Sequence, residues 1–464
     1  MSRDKKRQMI WYQVDDSEAA ARHLSKMARK GWFLEGVDNW YYTYRRGEPA
    51  DVQYAVTFFP DASCFDPSEM MEGQKTYAEY CQAAGWELAA SYGPIQYFRT
   101  SAPNPTPIET DETIKLASIR RTMRKTFVLT YAVLLLLSFI GLPFSLTQLQ
   151  NQPTEFFSSC SSLSNFLIMT GILVYSLGML LDYLIWLLRS RYAVSKGGAC
   201  CKPHTRFRLA LNVLMAVVCV IAVIGFMMES SWLRGVAVIY FVIYGGLILL
   251  SRWVLRRLKA SNMDRGTIKG IYFTFAVIAG LVVGLGSAFM FIRLADAGII
   301  HTGREPAETY VYTDADGSFR YPRDVFYDDL PITLETLGYH VTENDHCSYE
   351  ETVRRSPLMV YSKYAQEALN FDSPLPDLFC QTFDSQWNWV LDRCWKYLVE
   401  TGAARFEPRI MQNLDPSPWN ALGACRQEGL NTYYLRYPNR IVTVHLDGEA
   451  APQQLDAIIA SLQP

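Results

Sequence analysis

The stretches KGWFLEGVDNWYYTY (Lys30–Tyr44) and AGWELAASYGPIQYF (Ala84–Phe98) repeat one device. Each follows a segment with helical spacing, places Gly-Trp-x-Leu, and runs on into aromatic residues. A glycine just past a helix is the natural C′ residue, since side chains resist the left-handed backbone needed there. Trp and Leu two positions apart then face the same side of a strand. Ahead of the first copy, Ala20, Leu24 and Met27 share a helical face behind the possible caps Asp15, Asp16 and Ser17. Ahead of the second, Lys75–Ala84 reads as a helix stopped by Gly85. A first strand lies in Gln8–Val14. The strand begun at Trp32 runs to about Arg45, turns at Gly47–Pro49 and returns as Val52–Phe59. Trp86–Leu88 and Gln96–Arg99 read as one last strand broken at Gly93–Pro94. The order strand–helix–strand–strand–helix–strand predicts an α+β, ferredoxin-like βαββαβ domain over residues 1–100.

Helices cover only one face of such a sheet, and the other must be wet or covered by something else. Trp40, Tyr42 and Tyr44 alternate along one strand, and Tyr54, Val56 and Phe58 along the next. This exceeds what one small core needs. Trp40, Tyr42, Tyr44 and Tyr54 are therefore a candidate partner-binding aromatic face, with an ordinary wetted surface as the alternative. The basic strand motif of RNA-binding sheets is missing and the chain has a net charge of −2, so nucleic acid is not an expected partner.

A mean hydropathy of zero hides a strong segregation. Five apolar runs, 127–146, 163–188, 207–228, 232–250 and 271–294, are long enough to cross a bilayer, which takes about 20 residues. They define a transmembrane region over 127–294, joined to the first domain by a Pro-rich linker and a basic helical segment over 101–126. The opening MSRDKKRQMIWYQ has no apolar stretch of about 7–15 residues behind its basic start, so the first domain is expected to stay in the cytoplasm. Basic residues cluster before the first run (Arg120 to Lys125), between the second and third (Arg189 to Arg208), and between the fourth and fifth (Arg252 to Lys269). The loops around Gln150–Ser162 and Glu229–Ser231 have no Lys or Arg. This alternation predicts a multi-pass plasma-membrane protein with its N-terminus cytoplasmic and its C-terminus outside. Within the runs, Asp182 is a candidate functional carboxylate; the plainer reading is an interfacial Asp that is wetted or paired with Arg, Arg189 lying two turns away. Gly280 and Gly284 form a small-xxx-small pattern for helix packing or dimerisation.

Residues 304–464 predict an α+β extracytoplasmic domain. Leu358–Tyr364 reads as a strand and Ser385–Glu400 as an amphipathic helix burying Trp387, Val390, Leu391, Cys394 and Leu398. Thr432–Tyr437 and Arg440–Leu446 form a hairpin, and Pro452–Leu462 a closing helix. Cys347, Cys380, Cys394 and Cys425 are candidate disulfide cysteines in an oxidising compartment, with two bridges, one or none all open. Asp314–Ser318 (DADGS) is a turn lacking the later acids of a calcium loop. His340–Cys347 and Cys200, Cys201, His204 contain ligand types, but at spacings that match no closed zinc site. No cofactor is expected. Phosphate-loop, nucleophile-elbow, HExxH and kinase signatures are missing.

The runs LSKMARKGWFLEGVDNWYYTYRRGEPADVQYAVTFF and TYAEYCQAAGWELAASYGPIQYFRT resemble domain-of-unknown-function family 2812 across Lys5–Thr100. The resemblance implies a bacterial protein whose cytoplasmic domain precedes membrane spans. It also implies genes often neighbouring those of PadR-like transcription regulators, and it brings no catalytic residues. The expected function is a non-enzymatic, membrane-bound sensor or regulatory protein. It would couple an outer domain to a cytoplasmic protein-binding domain, with membrane lipid and a protein partner, either a cytoplasmic regulator or a second copy. The alternative is a structural or assembly factor for another membrane protein.

Overall fold

A computed structural model describes residues 4–10, 12–38, 40–67, 71–228, 231–261, 263–296, 306–313, 320–401, 411–427, 431–447 and 452–463. They gather in two compact units. One holds Met1–Phe139, Gly171–Val217 and Ala237–Leu294; the other holds Ile140–Thr170, Val218–Val236 and Ala295–Pro464.

The first unit opens with β1 (Lys5–Met9), α1 (Ser17–Ala28), β2 (Trp32–Val37) and β3 (Tyr41–Arg46). The same order returns as β4 (Gln53–Phe58), α2 (Glu72–Ala83), β5 (Glu87–Tyr92) and β6 (Ile95–Thr100). Each set makes its own antiparallel three-stranded sheet, β1-β3-β2 and β4-β6-β5. The repeat holds residue by residue. Gly31 and Gly85 both adopt positive φ, +76° and +86°. Leu34 pairs with Tyr44 and Leu88 with Phe98, and a register break follows each leucine. The expected single βαββαβ sheet is thus corrected to two βαββ sheets. Both supposed single strands are hairpins: Trp32–Arg45 is β2 and β3, paired antiparallel, and Gly93, at φ +55°, lets the supposed broken last strand reverse over two residues into β5–β6.

Duplication also closes the aromatic face. Leu24, Met27 and Ala28 of α1 pack in one core with Tyr42, Tyr44, Tyr54 and Tyr97, which come from both sheets. The Tyr42 ring meets that of Tyr97 edge-on at 5.8 Å. The Leu34 N–H donates to the Tyr54 hydroxyl at 3.2 Å. Burial pushes the Tyr42 hydroxyl up to about 12. Tyr42, Tyr44 and Tyr54 are core, and only Trp40, half exposed, faces solvent. The expected open docking face is therefore corrected: the second copy supplies the cover that a lone sheet would lack.

The linker is tied down as well. The Trp86 indole N–H donates to the Thr106 carbonyl at 2.8 Å, and Ile108 packs against Trp86 and Phe98. Asp111 caps α3 (Glu112–Met123) through the Thr113 N–H at 2.8 Å. A π-turn over Arg124–Val128 carries α3 into α4 (Leu129–Asn151). After the short α5 (Pro153–Ser158) come α6 (Cys160–Ser195), α7 (Thr205–Met228), α8 (Ser231–Ala260) and α9 (Arg265–Asp296). α6 to α9 each contain one expected apolar run and α4 all but the first two residues of another, and these five helices are long and apolar enough to cross a membrane. Glu229 and Ser230 of the expected third-to-fourth turn, and Asp314–Ser318, lie outside the described residues.

Small residues do admit close helix approach, but not at the expected place. A Cβ on Gly178 of α6 would sit 2.8 Å from Leu211 of α7, whereas one on Gly280 or Gly284 would meet nothing within 4 Å. The expectation that the α9 stripe packs within this chain is corrected accordingly: both glycines are exposed.

In the second unit, β7 (Glu308–Thr313) and β8 (Arg320–Val325) form a hairpin. A seven-stranded antiparallel sheet follows. Its strands are β9 (Cys347–Arg355), β10 (Val360–Ala368), β11 (Leu378–Asp384), β12 (Met411–Leu414), β13 (Gly423–Gln427), β14 (Thr432–Arg436) and β15 (Arg440–Leu446). Alternation sorts their side chains. Leu378, Cys380, Val442 and Val444 lie under α11 (Pro452–Leu462), while Phe383 and Ile441 face α10 (Asn388–Lys396). Val390, Leu391 and Cys394 of α10 are buried as expected of its apolar side; Trp387, expected there too, is half exposed.

All ten cysteines are free thiols, which corrects the disulfide candidates. Cys380 and Cys394 belong to cores on opposite faces of the sheet, so strands separate them. Cys425 donates instead to the Asn413 side chain at 3.3 Å, and Cys347 pairs with Ala368 on the sheet edge. Burial pushes the thiols of Cys347 and Cys380 up to about 11 and about 12. Maleimide at neutral pH should label these four only after denaturation, because the thiolate is the nucleophile. Non-reducing electrophoresis that shifted on reduction of the denatured chain would show bridges instead.

The two positive-φ glycines generate a second expectation. Gly31→Ala places a Cβ 2.6 Å from the Gly47 carbonyl oxygen, whereas Gly85→Ala meets only backbone strain. Strain alone costs about 1–2 kcal/mol. Hydrogen exchange in α1 and β2 of the full-length protein should therefore rise more for Gly31→Ala than exchange in α2 and β5 rises for Gly85→Ala.

Candidate functional site

The π-turn and the foot of α6 and α7 enclose a charge cluster in the first unit. Arg208, in the first turn of α7, has an almost fully buried side chain, as do Asp15 and Asp182. Its guanidinium grips Asp15 with two parallel bonds, Nη1 to Oδ1 at 2.8 Å and Nη2 to Oδ2 at 2.6 Å. Nη1 also donates to the Gln13 side-chain oxygen at 2.7 Å, and Nε donates to Asp182 Oδ2 at 2.5 Å. The face of the guanidinium lies 5.9 Å from the Phe127 ring, which the π-turn delivers.

Asp182 is thus paired, but with Arg208 rather than the expected Arg189. Arg189 instead donates to His204 Nε2 at 2.7 Å, and His204 Nδ1 lies 3.0 Å from Asp182 Oδ1. An arginine can only donate, so Nε2 accepts and Nδ1 carries the proton toward Asp182. The resulting chain, Asp15–Arg208–Asp182–His204–Arg189, runs from the first domain through two apolar helices. An apolar cavity of about 840 Å³, lined in part by Leu181, Ile185 and Phe207, opens beside Asp182 and His204.

The neighbouring loop is fastened by the same logic. The Trp186 indole donates to the Cys201 carbonyl at 2.7 Å, and the Cys201 N–H to Ser190 at 3.1 Å. The Cys200 N–H donates to Glu112 at 2.9 Å, and Lys115 bridges Glu112 and Glu18. Burial, then the charge of Glu112, pushes the Cys200 thiol up to about 12. Cys200, Cys201 and His204 therefore each serve a separate contact. Likewise Asp345 accepts from Thr342 and Ser373 to hold a turn, and His346 stacks on Tyr310 at 4.2 Å. Among the described residues, no three His, Cys, Asp or Glu side chains converge as a metal site.

Two members of the cluster were hidden in the sequence. Asp15 reads as a helix cap, yet its carboxylate is committed to Arg208 and caps nothing. Arg208 reads as an orientation charge. The signal that could have exposed it is its place inside the apolar α7, two residues past Arg206 and next to Phe207. The charged groups of Asp15, Arg208 and Asp182 are all engaged with one another. What the cluster does is hold one buried cation between two buried anions.

Sequence comparison identifies residues 16–131 with a family described as a protein of unknown function, DUF2812. The match runs past the repeats through the linker, α3 and the π-turn, which the structure shows packed on the same domain. No curated protein and no solved structure matches the chain.

Breaking a buried ion pair from one side costs about 3–5 kcal/mol, because the survivor stays buried and unpaired. Arg208→Met should lower the unfolding midpoint of the full-length protein in detergent accordingly. Adding Asp15→Asn and Asp182→Asn should recover most of that loss; no recovery would show that Arg208 acts by packing alone.

Proposed function

We propose that this is a non-enzymatic, membrane-bound regulatory protein. The repeat domain lies in the cytoplasm, the seven-stranded domain outside, and α6 passes the state of one to the other. The observation that carries the reading is that α6 is a single helix of 36 residues whose two ends do different work. At its start, Leu163 and Phe166 pack with Phe156 and Phe157 of α5 against Met359, Phe383 and Val390 of the outer domain. Ser356 donates to the Phe157 carbonyl there, and Cys160 to that of Arg355 at 3.2 Å. Toward its other end α6 carries Asp182, Arg189 and Ser190, all engaged in the ion cluster and its loop. A helix of that length runs for about 54 Å of contour.

The orientation rests on the alternation of basic loops. The same basic residues meet acids of the repeat domain: Arg252 with Asp38, Arg265 with Asp66, and Arg208 with Asp15. With Tyr42, Tyr44 and Tyr54 buried, a cytoplasmic partner would meet the outer surface of the repeats, where Tyr80 is exposed. A PadR-like regulator is the partner that the family resemblance favours. The second reading, an assembly factor for another membrane protein, draws on α8 and α9, whose most apolar windows bury none of their residues among the described ones.

Relay requires that loosening one end be felt at the other, since a coupled element has two states that both sites bias. Phe157→Ala should raise hydrogen exchange across residues 12–28 of the full-length protein by about fivefold or more. Exchange altered only around α5, β10 and α10 would make the domains independent. Labels at Met1 and Pro464 reached from the same side of an intact cell would remove the orientation.

A further inference from the structure

We propose that a second cavity in the first unit binds a phosphate group carried by an anionic phospholipid. The cavity measures about 590 Å³ and lies where the last turns of α8 meet the loops after β2 and β4. Arg252, Arg256 and Lys259 line it from one face of α8, at the four- and three-residue spacing that stacks side chains along a helix. Trp40, Tyr92 and Tyr272 complete much of the wall.

The charges at this site do not cancel. Asp38 accepts from Arg252 at 2.7 Å and from Arg256 at 3.3 Å, so one carboxylate serves two cations. Asp66 also lines the cavity, but Arg265 takes both of its oxygens, at 2.5 and 3.1 Å. Lys259 is only partly exposed and lies 5.6 Å from the Tyr92 ring centre, with no carboxylate within ion-pair distance among the described residues. Four cations thus face two carboxylates, leaving a surplus of two positive charges in a concave, aromatic-walled space. Holding that surplus partly out of water is costly unless an anion joins it. Phosphate oxygens match this need, since arginine donates to them in pairs and lysine as a point charge.

The depth selects the carrier. The apolar run of α8 ends at Leu250, and that of α9 begins at Ile271, beside the cavity residue Tyr272. The cations therefore sit where head groups lie, and aromatic rings are favoured at that level. Ile248, one turn before Arg252, gives the cavity an apolar flank on the membrane side, suited to the glycerol and first acyl carbons. A zwitterionic lipid brings no net charge to offset the surplus; an anionic one does. The site stands whether or not the protein relays a signal.

The test uses full-length protein in a non-ionic detergent, titrated with phosphatidylglycerol or phosphatidylcholine and read by native mass spectrometry. Wild type should retain phosphatidylglycerol in preference to phosphatidylcholine. Arg256→Gln with Lys259→Gln should weaken phosphatidylglycerol retention by about tenfold or more, at about 1 kcal/mol per basic residue. Lys269→Gln, which removes an exposed charge outside the cavity, should leave it unchanged. The charge-conserving swap Arg256→Lys with Lys259→Arg should keep retention within a few fold of wild type. Inorganic phosphate that raises the unfolding midpoint of wild type but not of the double glutamine variant, with no lipid preference, would keep the site and assign its phosphate to a soluble compound. Equal retention of phosphatidylglycerol by wild type and the double glutamine variant, without that phosphate effect, would overturn the proposal. So would an equal loss in Lys269→Gln, or a loss in the charge-conserving swap.

Discussion

The first unit depends on one buried cation. Arg208 cannot lose its proton and sits where water does not reach, so its charge must be met by protein oxygens. Asp15 meets it from the repeat domain, Asp182 from α6, and Gln13 fills a remaining donor. Each carboxylate would be intolerable there without the arginine, and the arginine without them. The three elements that supply these groups are therefore held at one mutual geometry, which apolar packing alone would specify less sharply. Around the cluster, Phe58, Leu116, Ile119, Met123 and Phe127 pack on Met179, Tyr183, Trp186 and Leu211, so the domain and the helices share a core.

The basic residues at the helix ends that meet the repeat domain have two physical roles that coincide. Retention of positive charge on one side of the membrane sets how a multi-pass chain inserts. The same residues then find acids on the repeat domain, because that domain presents Asp15, Asp38, Asp61 and Asp66 to them. Pairs near the surface contribute little individually, and exposed ones such as Arg121–Asp61 are worth no more than about 1 kcal/mol. The buried Arg208 pairs differ in kind, since separating them strands a charge in an apolar interior.

Duplication explains why the repeat domain is so rich in aromatics. One βαββ set has a single helix for a two-faced sheet. Two sets bury aromatic faces in a common core, and the pairs Leu34–Tyr44 and Leu88–Phe98 occupy equivalent places in their sheets. An excess of tyrosine, read as surface seeking a partner, was core seeking its second half. At Asp38–Trp40 and at Gly93–Pro94 a continuous or broken strand and a tight hairpin look alike until strand pairing is known.

The sequence by itself determined which segments are long and apolar enough to cross a membrane. Runs of apolar residues long enough to cross a bilayer became the long helices, and Gly31 and Gly85 ended α1 and α2 where a left-handed backbone was needed. The hairpin β14–β15 and the helix α11 were equally local in origin. These are properties of neighbouring residues, written in periodicity and chain conformation. Tertiary structure decided what depended on distant partners: which sheet each strand joined, that the four candidate disulfide cysteines stayed thiols, and that Asp182 paired with Arg208 rather than Arg189. A carboxylate's partner is whichever cation the fold brings within about 3 Å, and no spacing along the chain encodes a contact between residues 15, 182 and 208.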